Sequence, residues 1–592
     1  MYAPPWQTLS RRALLLALLF MSSAFTAEAG SVSLTWNANP EPDVVGYVVA
    51  WGTARGTFTG SLDVGLRTTV RVPNLRDGVR YYFAVRAYTA IQQGSLSAQV
   101  ATVVGLDADR NGLSDAWETW YGLNTTSVAT RSAGAMDSDG DGVPDSVEYQ
   151  RGTHPRGTEV QYLPEGVQSR GFWETQIALL NPGTTSAKVV VVFERADGQL
   201  VTHPLELGSR SRATLSSAAF SDLEGIDFAT RIESDTPLVV DRTVSWDSTA
   251  YGGHAETALP EPALRWYVTE GATSPFSLFY LIQNPDERAA QVRVTYLLES
   301  GEPVRRTYEV APHSRKTIFV NGEGPRLAAV PVSGVIESLN DVPIIAERAL
   351  YLDAAGRGWG AGSASAGVTA ASPRWFFAEG AANTWFDLFY LFANPSDETI
   401  TVRATYLLPG GGRVRRSYEI PPHRRRTVHL NADPRLANTA ASATFESVDR
   451  KPFLAERSMW WPRGGWYESH TNGRVTAPGT RWAIADGESG GPRAKATYVL
   501  AANTDASDAS IRITLVFEGG GEASRRLTLA ANSRATWDIG EAFPGAVGRR
   551  YGILVESLGD GTPIVVERAT YWNGGSLPFG AGTSAAAVRL SP

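Results

Sequence analysis

One phrase returns four times and limits what this chain can become: Glu233-Ser234 to Asp241-Arg242, Glu337-Ser338 to Glu347-Arg348, Glu446-Ser447 to Glu456-Arg457, and Glu556-Ser557 to Glu567-Arg568. The period of roughly 106 to 111 residues is long for a solenoid or propeller unit and typical of a complete sandwich domain. Other landmarks keep step. The units open on Tyr162 to Gly166, Trp266 to Gly271, Trp375 to Gly380 and Trp482 to Gly487, and an apolar run then ends at Asn181-Pro182, Asn284-Pro285, Asn394-Pro395 or Asn503-Thr504. Proline lacks a ladder donor and biases its predecessor toward extended backbone, so these corners should end strands. Each unit holds about seven or eight strand-like runs and almost no helical periodicity. The expected fold is all-β: tandem immunoglobulin-like β-sandwiches, spanning 159–261, 262–371, 372–478 and 479–592, preceded by a short loop-helix segment.

Ahead of the repeats, residues 30–104 alternate apolar and polar side chains, as in Val32 to Trp36 and Tyr81 to Ala87, which reads as another small sandwich. Trp36, Gly46-Tyr47-Val48-Val49 and the run Leu75, Tyr81, Val85, Ala87 resemble the core tryptophan, third strand and tyrosine-corner strand of a fibronectin type III domain. The resemblance implies a fold and says little about function. The four later units resemble uncharacterised repeat domains of bacterial exported proteins marked by an E-G opening, an N-P corner and an E-R strand, a resemblance that implies no activity.

Between them, residues 105–158 carry two acidic series at one spacing: Asp107, Asp109, Asn111, Gly112, Asp115, Glu118 and Asp137, Asp139, Asp141, Gly142, Asp145, Glu148. Both satisfy D-x-[DN]-x-[DN]-G-x5-E, in which alternate side chains supply oxygens, glycine permits the sharp turn and the final glutamate can bind bidentately. Leu113 and Val143 would add backbone oxygens. Such hard ligands suit Ca2+ over softer metals. Short helices should follow each loop, at Ser114 to Tyr121 and Val143 to Arg151, closed by Gly122 and Gly152. Asp137 to Asp145 resembles thrombospondin type 3 and related bacterial calcium repeats, which implies a structural ion between the amino-terminal module and the repeats.

Residues 1–29 have the basic, apolar and small-residue parts of a secretory signal, with cleavage expected after Ala29. Ser10 to Leu15 also fits a twin-arginine signal, so both export routes stay open. No other segment reaches the roughly 18 apolar residues of a membrane helix. The mature chain is therefore expected outside the cytoplasm, at the cell surface, in the medium or in the periplasm. Cysteine is absent, which excludes disulfides, zinc thiolate sites and thiol catalysis. A formal net charge of −7 argues against a nucleic-acid partner.

Three features invite chemistry. Gly487 to Gly491 superficially resembles the loop around a serine-protease nucleophile, yet it occupies the variable turn after the fourth opening and lacks a recognisable base. The acid-arginine pairs sit on adjacent strand residues, which point to opposite faces, and their fourfold recurrence implies a shared structural bond in each repeat. Trp460, Trp461, Trp466 and Tyr467 depart from the repeat pattern and could form an exposed platform for sugar, or cap a core or a junction. The resulting expectation is a non-enzymatic, calcium-binding structural or adhesion protein whose partner is a cell-surface protein or extracellular glycan, with a polysaccharide-binding module or an accessory subunit of an exported enzyme as alternatives.

Overall fold

The computed structural model describes residues 29–36, 44–76, 79–105, 109, 111, 113–125, 136–247, 252–352, 360–559, 561–574 and 577–591. Residues 1–28, which carry most of the expected export signal, and Asp107 lie outside them. The chain divides into two compact units, Met1–Ala133 and Gly134–Pro592, so the two acidic loops fall on opposite sides of the division.

In the smaller unit, Ala29–Thr35 pairs with Thr69–Arg76, and Gly60–Gly65, Gly46–Gly52, Arg80–Tyr88 and Val100–Val103 form a four-stranded antiparallel sheet in that order. Alternation sends Tyr81 and Phe83 inward beside Tyr47, Val49, Val72 and Leu75. Trp36 closes the cluster, its ring edge-on to Tyr47 at 5.7 Å.

The larger unit holds four sandwiches of two antiparallel sheets each. In the second repeat, Arg265–Val268, Val332–Ser338, Ala290–Leu298 and Val304–Val310 face Ser314–Phe319, Phe276–Asn284, Ile345–Leu352 and Ala361–Ala366, and the others repeat this order with small additions. The corner asparagine explains the corners better than the proline does. Asn284 Nδ2 donates to the carbonyls of Arg288, Val310 and Ala311, and its Oδ1 accepts the Asp286 amide. Asn503 makes the same set, although Thr504 replaces the proline.

Every residue of Ile345–Leu352 is buried, which a free-standing sandwich does not allow. Ala346, Leu350 and Leu352 face their own core, whereas Ala349 and Tyr351 pack with Val244 and Trp246 of the first repeat. Glu347 and Arg348 are both fully buried because both faces of this sheet are covered, one by its own sandwich and one by a neighbour.

The bond anticipated inside each repeat in fact joins repeats. Arg242 donates from Nη1 and Nη2 to the two oxygens of Glu347 at 2.8 and 2.5 Å, Arg348 Nη2 to Glu456 Oε1 at 3.0 Å, and Arg457 to Glu567. The same acids reach back to the openings, Glu456 accepting the Glu270 amide at 2.7 Å and Glu567 the Glu379 amide at 3.1 Å. The series then closes on itself. Asp241 of the first repeat accepts the Ala485 and Asp486 amides of the fourth at 2.9 and 3.0 Å. Arg568 instead turns to Asp486 of its own repeat at 3.1 Å. A head-to-tail interface repeated through a closing rotation makes a ring, and the repeats of this unit stand 1-2-3-4-1.

Around the middle of the ring lie the last strands of each second sheet, Gly252–Thr257, Ala361–Ala366, Glu468–Asn472 and Leu577–Ala586, each against those of both neighbouring repeats. Glycine is needed there for close approach. A Cβ on Gly362 would lie 2.7 Å from the Trp246 ring, on Gly253 2.8 Å from Trp572, and on Gly582 3.1 Å from Trp461. Where the second repeat replaces this tryptophan with Leu352, the matching place in the third is Ser469.

Truncating Glu347→Ala removes two bonds of the buried Arg242 guanidinium and leaves it Glu165 alone, which should destabilise the ring by about 3 kcal/mol. Calorimetry should register the loss in one transition shared by all four repeats; a second repeat melting early by itself would contradict the shared interface.

Candidate metal centre and the buried carboxylates of the ring

The second acidic loop is shaped by its own side chains before any ion is considered. Asp137 Oδ1 accepts the Gly140 amide at 2.7 Å and its Oδ2 the Gly142 amide at 2.9 Å. Asp139 takes the Asp141 amide and Asp141 the Val143 amide. Gly140 and Gly142 both have positive φ, 81° and 90°, which suits glycine. The turn leaves carboxylate oxygens of Asp137, Asp139 and Asp141 within 4.8 Å of one another.

The helix Asp145–Arg151 follows and brings Glu148 toward the trio. Glu148 is 2% exposed, and its Oε2 has no hydrogen-bond partner among the described residues. Burial, followed by the charges of Asp139, Asp141, Glu233 and Asp145, pushes its carboxyl up to about 9. Burial and Asp141 likewise raise Asp139. Acids that oppose one another's ionisation around an orphaned oxygen fit a divalent cation, which would reverse that repulsion. Asp145 accepts Ser138 N and Oγ at 2.8 and 2.7 Å, one bond to each carboxylate oxygen.

In the first loop, Asn111 Nδ2 donates to Glu118 Oε1 at 2.9 Å, Asn111 N to Asp109 Oδ1, and Leu113 N to Asn111 Oδ1. Ser114 caps the helix Asp115–Tyr121 by accepting the Trp117 amide, and Gly122 ends it in the left-handed region. The loop thus gathers Asp109, Asn111 and Glu118.

The second loop is tied to the ring. Glu233, the acid of the first repeat's Glu-Ser phrase, accepts the His154 amide at 2.7 Å and pairs with Arg231. Sequence reasoning gave this glutamate no role, because its partner lies outside the repeat.

The other chemical candidates resolve into packing. Ser489 is buried with its hydroxyl 2.5 Å from Tyr551 OH. Trp460 and Trp461 are 3% and 0% exposed, so they form no open platform: Trp460 packs on Phe276 of the second repeat at 4.6 Å, and Trp461 on Tyr571 of the fourth at 5.5 Å. They are junction residues.

Two junctions add a three-residue contact. Tyr351 OH donates to Glu165 Oε1 at 3.0 Å and lies 3.1 Å from His254 Nε2, while Tyr571 OH donates to Glu379 Oε1 at 3.1 Å and lies 3.0 Å from His470 Nε2. Against the upward push of burial, His254 and Arg242 hold Glu165 down at about 2. Glu468, on a central strand, has the opposite balance. Its Oε1 accepts the Gly362 and Ser469 amides at 2.9 and 3.0 Å, its Oε2 has no partner among the described residues, and burial raises it well above the ordinary 4.5.

Comparison with known proteins shows where the chain is familiar. Residues 23–103 match the fibronectin type III domain family. The Kelch domain-containing protein SSO1033 of Saccharolobus solfataricus is 38% identical over 73 residues, 12% of this chain and 10% of that protein, so the chain spans about a tenth of that relative's length. Thermotoga maritima 1070, a solved structure, is 20% identical, with 95% of it and 18% of this chain covered at a TM-score of 0.17. The solved tetra-tandem repeat from the extending region of a large adhesion protein is 12% identical, with 92% of it and 69% of this chain covered at a TM-score of 0.09. Fold and family match together define a multidomain all-β protein with a fibronectin type III domain ahead of its four repeats. Among the described residues no helix is long and apolar enough to cross a membrane.

The two buried acids predict opposite pH responses. Glu165, depressed in the fold, stabilises above its ordinary 4.5, and that contribution disappears as pH falls toward 2. Glu468, raised in the fold, penalises folding increasingly as pH climbs above 4.5. Glu468→Gln should therefore stabilise the protein at pH 8 by about 1–3 kcal/mol, and the gain should vanish near pH 4; denaturant unfolding at both pH values checks this.

Proposed function

We propose that the protein is exported and serves as a calcium-bound, non-catalytic structural component of a bacterial cell surface or extracellular matrix. Its sandwich-end loops would face a cell-surface protein or an extracellular glycan. The observation that carries the calcium part is the orphaned, buried Glu148 oxygen beside the Asp137, Asp139 and Asp141 trio. Those four carboxylates, Asp145 and the Val143 carbonyl would hold the ion in the second loop; Asp107, Asp109, Asn111, Leu113, Asp115 and Glu118 would serve the first. Calcium would supply the positive charge that lets closely spaced acids stay ionised. Extracellular calcium modules bind at roughly 0.1–1 mM, so both loops would fill outside the cell. The export signal and the fibronectin type III domain support the location.

The ring supports the structural part. Sheet faces that a lone sandwich would leave to solvent are covered by neighbouring repeats, and the Glu233–His154 bond joins the second loop to that rigid body. Glycan binding through Trp460 and Trp461 loses its support, since both are buried.

Titration calorimetry should show calcium uptake in the millimolar range. Asp139→Asn should abolish the second-loop event, and Glu148→Gln should abolish it while raising the stability of the calcium-free protein, because an unpaired buried acid is removed. Chelation should expose residues 106–158 to protease while the sandwiches on either side survive. Equal cleavage with and without calcium would contradict the stiffening role.

A further inference from the structure

Each repeat sends a second arginine into the repeat before it, from the strand that pairs beside its corner asparagine: Arg212, Arg315, Arg425 and Arg534. Three of them find acids. Arg212 pairs with Asp486 at 3.1 Å and with Glu518, Arg425 with Glu299 at 3.5 Å, and Arg315 with Asp227 at 3.8 Å. Arg534 differs: it is 8% exposed, makes no ion pair within 4 Å among the described residues, and donates only to neutral hydroxyls, Ser442 Oγ at 3.3 Å and Thr536 Oγ1 at 2.9 Å. The sequence shows why. The place filled by Glu299 in the second repeat and Glu518 in the fourth is Pro409 in the third.

Arg534 borders a cavity of ≈ 250 Å3 between the third and fourth repeats. Trp385, Phe386, Tyr498, Tyr571 and Phe579 also line it, and Trp385 and Phe579 keep 37% and 41% of their surface open to solvent. At the preceding junction Trp466 packs on Phe276 and Trp460. Glu379 also borders the cavity but is already bonded by Arg457 and Tyr571.

We propose that this crevice is a binding site for a small aromatic carboxylate. A buried guanidinium with no acid in ion-pair contact selects an anion, and its forked donors match a carboxylate in two parallel bonds. Aromatic walls favour a flat apolar body over a hydroxylated one. The volume lies a little below the roughly 300 Å3 at which drug-sized sites begin, which suits one ring on a short acid arm.

Isothermal titration of the full chain with phenylacetate tests this. The expected result is saturable one-to-one binding, with phenylacetamide weaker by at least about tenfold and Arg534→Gln lowering phenylacetate affinity by a similar factor. Trp385→Ala, at a partly exposed position, should weaken binding severalfold while circular dichroism stays unchanged, so the test does not depend on the junction tolerating loss of Arg534. Equal affinity for acid and amide, tighter binding of glucuronate than of phenylacetate, or no saturable binding up to about 10 mM would each overturn the proposal.

Discussion

A buried carboxylate from one repeat held by a guanidinium or amide of the one before it sets the architecture of the larger unit. Taking two charges out of water is expensive, and the attraction between them offsets that only with good geometry and further hydrogen bonds. Here the bonds are supplied jointly. Glu347 meets both terminal nitrogens of Arg242, which also reaches Glu165, while Glu456 and Glu567 accept an opening amide besides their arginine. Neither partner repeat satisfies these groups alone. Three junctions join neighbours in the chain, but the fourth brings Asp241 to the amides of Ala485 and Asp486, and without it Leu180 and Val239 of the first repeat and Val516 and Leu554 of the fourth would lose the apolar partners they have across it.

Much of the local architecture was legible in the residues. Period-two alternation located the strands, as in Tyr81 to Ala87, and the spaced aspartates located a turn whose clustered carboxylates come from one contiguous segment. The landmark asparagine was visible too, but its neighbour drew the explanation; Asn503 shows that the side-chain amide closes the corner when proline is gone. The ring was hidden. A repeated Glu-Arg pair looks the same whether its bond stays inside one sandwich or crosses to the next, because strand periodicity says which way a side chain points and not what lies beyond the sheet. Trp460 and Trp461 left two readings open for the same reason: large apolar residues off the pattern fit an exposed platform or a junction cap, and their burial against neighbouring repeats decides for the junction.

The second acidic loop and the cavity were unequally readable for a related reason. Asp137, Asp139 and Asp141 converge through five residues of backbone, so spacing alone brings them together. Arg534 meets its surroundings across a junction, and the informative residue is an absent acid, Pro409, recognisable only after the corresponding positions have been placed side by side in space.

The histidine-tyrosine-glutamate contacts occur at alternate junctions, with His254 and His470 in the first and third repeats and Tyr351 and Tyr571 in the second and fourth. The four blocks are thus of two kinds, and the ring has the grammar of a duplicated pair. Shuffling the odd-numbered blocks between themselves would preserve this pattern, whereas transposing an odd block with an even one would leave a histidine against Trp460 or Ser245 and a tyrosine against Ser363 or Thr583, so correct order is written into the assembly by pairing chemistry.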